Sequence, residues 1–155
     1  MGLGRGILAG AAAGAPGTTA LNLITYLDMT ARGRGASSSP ETTVEKLSDA
    51  VQVAVPGEGD TRDYRVSALG ALTGIASGVG VGAALGLVRG FGWRPGPVVS
   101  AVVATLGALL GTNGPMTALG VTDPWTWPLE SWVSDVVPHL GYGAVTAAVL
   151  DGLDP

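Results

Sequence analysis

The chain has 155 residues, and its 12 acidic and eight basic side chains make only 13% of it charged, about half of what a soluble globular domain carries. Residues 6–27, 66–88, 95–122 and 136–150 contain no Asp, Glu, Lys or Arg, and three of these stretches exceed the roughly 18 residues that mark a membrane span. A single soluble domain is therefore not expected. The net charge of -4, with no clustered Lys and Arg, argues against nucleic acid, whose binding requires displacement of phosphate counterions. With no Cys and one His, disulfides, thiolate or multi-His metal centres and a Cys nucleophile are all excluded. No cofactor is expected. The 26 glycines lie mainly inside the apolar stretches without a three-residue period, which points to membrane-helix packing rather than collagen or disorder.

The first apolar stretch follows Arg5 and contains Ala11, Ala13 and Ala15, an arrangement similar to a secretory signal. Pro16 directly after Ala13-Gly14-Ala15 opposes cleavage, and the apolar run continues to Leu27. A retained transmembrane helix over about 7–27 is expected. Pro16-Gly17 should bend or break it, with Thr18 or Thr19 satisfying a freed backbone group.

Residues 28–65 form a polar connection. Ser39-Pro40-Glu41 has the form of a helix start, with Ser39 as N-cap and Pro40 in the first position. Val44, Leu47 and Val51 then recur at helical spacing, predicting a short amphipathic helix over about 40–54 that ends at Val55-Pro56-Gly57. Residues 57–63 read as a mobile acidic turn.

The second span is predicted over 66–88 and the third over about 98–119, with a break at Asn113-Gly114-Pro115. The fourth runs over about 135–150, which is short for a bilayer unless preceding residues extend it. The fold expected is an all-α polytopic membrane protein of four transmembrane helices in two hairpins. Trp93 lies in one connection, and Trp125, Trp127 and Trp132 lie in the other, so both interfaces carry aromatic anchors. Arg32, Arg34, Lys46, Arg62 and Arg65 face Arg5, Arg89 and Arg94 across the bilayer in this layout, which leans toward a cytoplasmic long connection. A faint internal repeat pairs residues 17–21 with 115–119 and 70–74 with 143–147, the signature of parallel duplication. A composition rich in Ala, Gly, Leu and Thr also produces such matches by chance.

The most regular motif is the row Gly70, Gly74, Gly78, Gly82, Gly86 and Gly90, at four-residue steps. A row without Cβ atoms lets a second backbone approach closely, a main source of helix association in lipid. Each step drifts by about 40°, so the row sweeps about 200° around a straight helix. One straight partner cannot touch all of it. The helix must cross its partner or meet different neighbours at its two ends. Gly10 with Gly14, and Gly107 with Gly111, form single GxxxG units in the first and third spans and are candidate mates. The run Gly78-Val79-Gly80-Val81-Gly82 is similar to the packing helix of rotary ATPase proteolipids, but no span carries the mid-membrane carboxylate that such a protein requires.

The fourth span carries the candidate chemistry. Asp135, His139 and Tyr142, followed by Thr146, share one helical face. They could relay protons or line a solute path, since ionisable groups inside a membrane protein are functional candidates. The competing structural reading starts the helix near Ser134, because Pro138 is tolerated in a first turn, and makes Asp135 and His139 interfacial anchors. Asn22 and Asn113 are polar residues near the two breaks, suited to interhelical hydrogen bonding or to the same path. Ser131 and Ser134 lie close to His139 but lack a nucleophile-elbow context, Asp123-Pro124-Trp125 reads as a turn, and Asp123 with Glu130 is too little for a metal site. No catalytic residue and no enzyme activity are expected.

Residues 119–124 (Leu-Gly-Val-Thr-Asp-Pro), with Trp132, Asp135, Pro138-His139 and Tyr142-Gly143, resemble the C-terminal part of the small bacterial membrane proteins of the YagU-like family. The resemblance covers about a third of the chain. It implies a bacterial inner-membrane location and a small multi-span fold, and it brings no catalytic residues. Two functions follow as expectations. The first is a non-enzymatic accessory subunit, or a self-associating unit packed through the GxxxG row, whose partners are the bilayer and a second copy or a membrane complex. The second is a small channel or proton-linked transporter using the polar stripe of the fourth helix.

Overall fold

The computed structural model describes residues 2–153. Helix α1 spans Leu3–Arg32, α2 Ser39–Val51, α3 Gly59–Gly90, α4 Pro97–Ala118 and α5 Leu129–Leu153, with a 3-10 turn at Pro124–Thr126 before α5. Helices α1, α3, α4 and α5 are long and apolar enough to cross a membrane. The protein is thus a four-span, all-α membrane protein. Helix α1 packs on α3 and α5, α4 packs on α5 and more lightly on α3, and α2 lies against α3. The hairpins are α1 with α3 and α4 with α5.

Polarity does not separate the inner and outer faces of these helices, because lipid and protein interior are equally apolar. On α1 side-chain size does. On α1 the buried positions are Gly6, Gly10, Ala13, Gly14, Gly17 and Thr18, whereas Leu8, Leu23 and Leu27 are exposed. Large apolar side chains are also exposed at Leu72 and Ile75 on α3, Val98 and Leu110 on α4, and Val137 and Leu140 on α5, while α5 buries Tyr142 and Leu150. Small residues face neighbouring backbones because close van der Waals approach, not hydrophobic exclusion, holds helices together in lipid.

Helices α1, α3 and α5 are longer than their charge-free stretches. Helix α3 begins at Gly59, so residues 59–63 of the segment expected as a mobile turn are helical, with Asp60 in the first turn, where a carboxylate complements the helix dipole. Helix α5 begins at Leu129 rather than near Ser134, and Pro138 lies inside it. The helical 25 residues of α5 correspond to about 38 Å, which removes the expected shortfall against the bilayer. The breaks expected at Pro16 and Pro115 are absent: both prolines sit inside unbroken helices. Thr18 and Thr19 donate to the carbonyls of Gly14 and Ala15, not to the Ala12 carbonyl that Pro16 leaves without its usual donor. In α2 the cap position is Ser38, not Ser39, and the helix ends at Val51.

The glycine row of α3 meets different neighbours along its length. A methyl group on Gly78 would overlap the Thr18 hydroxyl, one on Gly82 would lie 2.7 Å from the Gly14 Cα, and one on Gly86 2.8 Å from the Gly10 Cα. Gly90 faces Leu3, while Gly70 faces Pro40 of α2. Gly74 has open space around its Cα. On α1, Gly6 joins Gly10 and Gly14 in the seam, facing Gly86. Gly107 and Gly111 do not touch the row; they receive the two methyl groups of Val81, on another side of α3.

At the end of the bundle that holds the start of α1, Arg89 is 3% exposed. It donates to Ser100 Oγ at 2.9 Å and pairs with Asp151 of α5. Arg89 therefore belongs to the interior and not to the loop charges that bear on orientation.

Gly82→Val is expected to destabilise the protein in mild detergent by about 2–3 kcal/mol, since the methyls have only backbone to displace. Gly74→Ala should leave the thermal midpoint unchanged or raise it slightly, by up to about 1 kcal/mol of helix propensity. Asp151→Asn leaves the buried guanidinium without its counterion and should cost about 2 kcal/mol, less than a fully buried pair because Asp151 is partly exposed. Thermal unfolding followed by helical circular dichroism reads all three.

Candidate functional site

A cleft of about 570 Å³ opens at the other end of the bundle, between the second half of α1, the end of α4 and the start of α5. Asn22 from α1, Asn113 from α4, and Asp135 and His139 from α5 all line it. The structure thus brings four of the sequence-derived path residues to one place. Because α5 starts at Leu129, Asp135 lies in its second turn and His139 one turn deeper. Neither sits at the helix terminus, where a purely anchoring role would place them.

Asn113 Nδ2 donates to Asp135 Oδ2 at 2.8 Å, joining α4 to α5. The other amide atom, Asn113 Oδ1, is buried with no hydrogen-bond partner among the described residues. His139 is 6% exposed. Its Nδ1 lies 2.7 Å from the Asp135 carbonyl oxygen and 3.4 Å from Asp135 Oδ1. Both neighbours are acceptors, so Nδ1 carries a hydrogen. On the other side of the ring, Nε2 lies 3.4 Å from Thr112 Oγ1. The single hydroxyl hydrogen of Thr112 is directed to the Ala108 carbonyl at 2.9 Å, so Thr112 presents a lone pair to Nε2.

Tyr142 follows His139 along α5 and is fully buried, below the cleft rather than in its wall. Its hydroxyl donates to the Gly78 carbonyl at 2.6 Å. Gly17 makes room for the ring: a methyl there would lie 3.0 Å from Tyr142 Cδ2. Tyr142 therefore closes the floor, where α1, α3 and α5 meet.

The mouth carries a second polar group that sequence reasoning missed. Arg32 Nη1 donates to Glu130 Oε1 at 2.7 Å, and Arg32 Nη2 donates to Asp28 Oδ2 and Ser134 Oγ. Arg34 Nε donates to the same Asp28 oxygen at 2.7 Å. These contacts tie the end of α1 to the start of α5. The i,i+4 spacing of Asp28 and Arg32 was the available sequence signal, but the link to Glu130 needs the tertiary arrangement. Thr112, adjacent to Asn113, was likewise missed. Trp127 lines the cleft, donates to Thr122 Oγ1 at 2.8 Å and stacks edge-on with Trp132 at 5.2 Å. Asp123 caps the short turn before them by accepting from the Trp125 backbone.

Among the described residues, no group of three His, Asp or Glu could hold a metal ion. Comparisons with protein-family models, curated proteins and solved structures return no match. The likeness to the YagU-like family thus rests on the motif residues alone.

Tyr142→Phe removes the donor from a buried carbonyl while keeping the ring. The expected loss is about 1 kcal/mol in a detergent melt, and an unchanged melt would show that the Gly78 carbonyl is satisfied in another way.

Proposed function

We propose that this four-span protein is a small proton-linked transporter that takes a small polar solute from one side of the membrane into the cleft at Asp135 and His139, with the proton held by this pair. One observation carries the reading: polar side chains from α1, α4 and α5 converge in a single cleft within the range of small-molecule sites. A carboxylate and an imidazole placed inside a spanning helix are costly unless they serve a purpose or are fully paired. Here the Asn113 acceptor next to them is left unpaired.

The competing expectation of a self-associating unit loses its main support. Gly78, Gly82, Gly86 and Gly90 are filled by α1 of the same chain and Gly70 by α2, leaving Gly74 as the open member of the row. A bacterial inner membrane is the proposed setting, on the resemblance of residues 119–143 to the YagU-like family. No catalytic step is proposed.

In proteoliposomes, a pH gradient should drive flux through the wild-type protein, and Asp135→Asn should reduce it to the rate of empty vesicles while leaving the thermal melt native. Flux that is indifferent to the substitution would sink the proposal.

A further inference from the structure

Resting on the cleft assigned above, we infer that its ligand is a small organic ammonium ion, an amine with an apolar body, which pairs with Asp135.

The charges around the cleft leave one carboxylate without a cationic side chain. Arg34 lines the cleft, but its guanidinium is held by Asp28. Glu130 lines it too, and its carboxylate is held by Arg32. Asp135 has no Lys or Arg partner among the described residues: its neighbours are the neutral Asn113 amide and His139, 3.4 Å away. A carboxylate in low-dielectric surroundings gains most from a cation that arrives with donors.

The uncommitted hydrogen-bonding capacity has the same sign. Among the described residues, Asn113 Oδ1 is a buried acceptor with no donor, and Asp135 Oδ1 receives only the long His139 contact. An ammonium group offers up to three N–H donors and no acceptor, which matches this pair. A carboxylate ligand would bring acceptors against acceptors and a negative charge against Asp135.

The remaining lining selects an organic cation over a bare one. Leu21, Met29, Met116 and Pro138 supply apolar walls, and Tyr26 and Trp127 supply aromatic surface, which attracts cations as well as apolar groups. A hard metal ion needs six or more oxygen ligands at short range, and no metal-capable cluster is present among the described residues.

Because the chain contains no Cys, a single engineered thiol reports on this cleft without background. Ser131→Cys, in the cleft wall, is labelled with a neutral maleimide in lipid nanodiscs in the presence of phenethylammonium, 2-phenylethanol or phenylacetate. These probes share one skeleton and differ in charge. Phenethylammonium is expected to slow labelling about tenfold at concentrations where the alcohol and the carboxylate slow it less than about twofold, the gap of one charge-assisted contact. Adding Asp135→Asn should abolish the difference.

Protection by the alcohol or the carboxylate equal to that by the amine would overturn the ammonium assignment while leaving a solute-binding cleft in place. Absence of protection by any probe, in protein with a native melt, would overturn both. The comparison among probes uses intact Asp135, so it decides the matter even if Asp135→Asn fails to fold.

Discussion

The backbone seam between α1 and α3 is the contact on which the rest of the bundle depends. In lipid, apolar side chains gain nothing by leaving solvent, so helices associate through close packing. Gly6, Gly10 and Gly14 on α1 meet Gly78, Gly82 and Gly86 on α3 at distances that leave no room for a methyl group. Close approach there fixes where α5 can lie. The Gly78 carbonyl accepts the Tyr142 hydroxyl, Gly17 admits the Tyr142 ring, and Thr18 packs over Gly78. Three helices are thereby registered at one junction, and the last of them carries Asp135 and His139.

Charged groups obey a different rule at the two ends of the bundle. Beside the start of α1, Arg89 is buried and its Nη2 is held by Ser100 and Asp151, binding α3, α4 and α5 together. At the cleft end, Arg32, Arg34, Asp28 and Glu130 pair in partly exposed positions, where each ion pair is worth little individually. The first cluster holds the bundle. The second sits over a cavity and leaves Asp135, below it, as the cleft carboxylate without a Lys or Arg partner among the described residues.

Three spans were legible because a run of about 20 residues without charge is rare in a folded chain except where it crosses a bilayer, and the fourth, with a shorter run, was legible as their partner. Their ends were not. Helices α3 and α5 continue past Arg65 and Asp135 into charged sequence because a helix emerging into water needs no apolar side chains. The prolines misled for a related reason: a single missing N–H ends a marginal helix in water, but a spanning helix has no alternative partner for its other backbone groups and stays helical. The stripe of Asp135, His139 and Tyr142 was readable from spacing alone. Asn22 and Asn113 could be marked as polar residues in apolar surroundings, but their meeting at the cleft of Asp135 depends on which helices are neighbours. The row on α3 was equally plain, whereas its partition between α1 and α2 was set by the whole bundle.

The position of the cleft follows from where glycine stops. Between Thr18 and Arg32, α1 has no glycine, and α5 has none from Leu129 to Leu140. Over those segments the facing residues are larger, including Leu21, Asn22, Tyr26 and Met29 on α1 and Pro138 and His139 on α5. Where both helices are lined by Gly and Ala, their backbones can approach until nothing fits between them. Where the lining side chains lengthen, the axes must stand further apart, and the space between is filled only if those side chains interdigitate. Here several are polar and point their hydrogen-bonding atoms at one another instead of packing. The same residue-size pattern that closes one half of the bundle thus leaves the other half open, and it does so beside the one spanning helix that carries both an acid and a histidine.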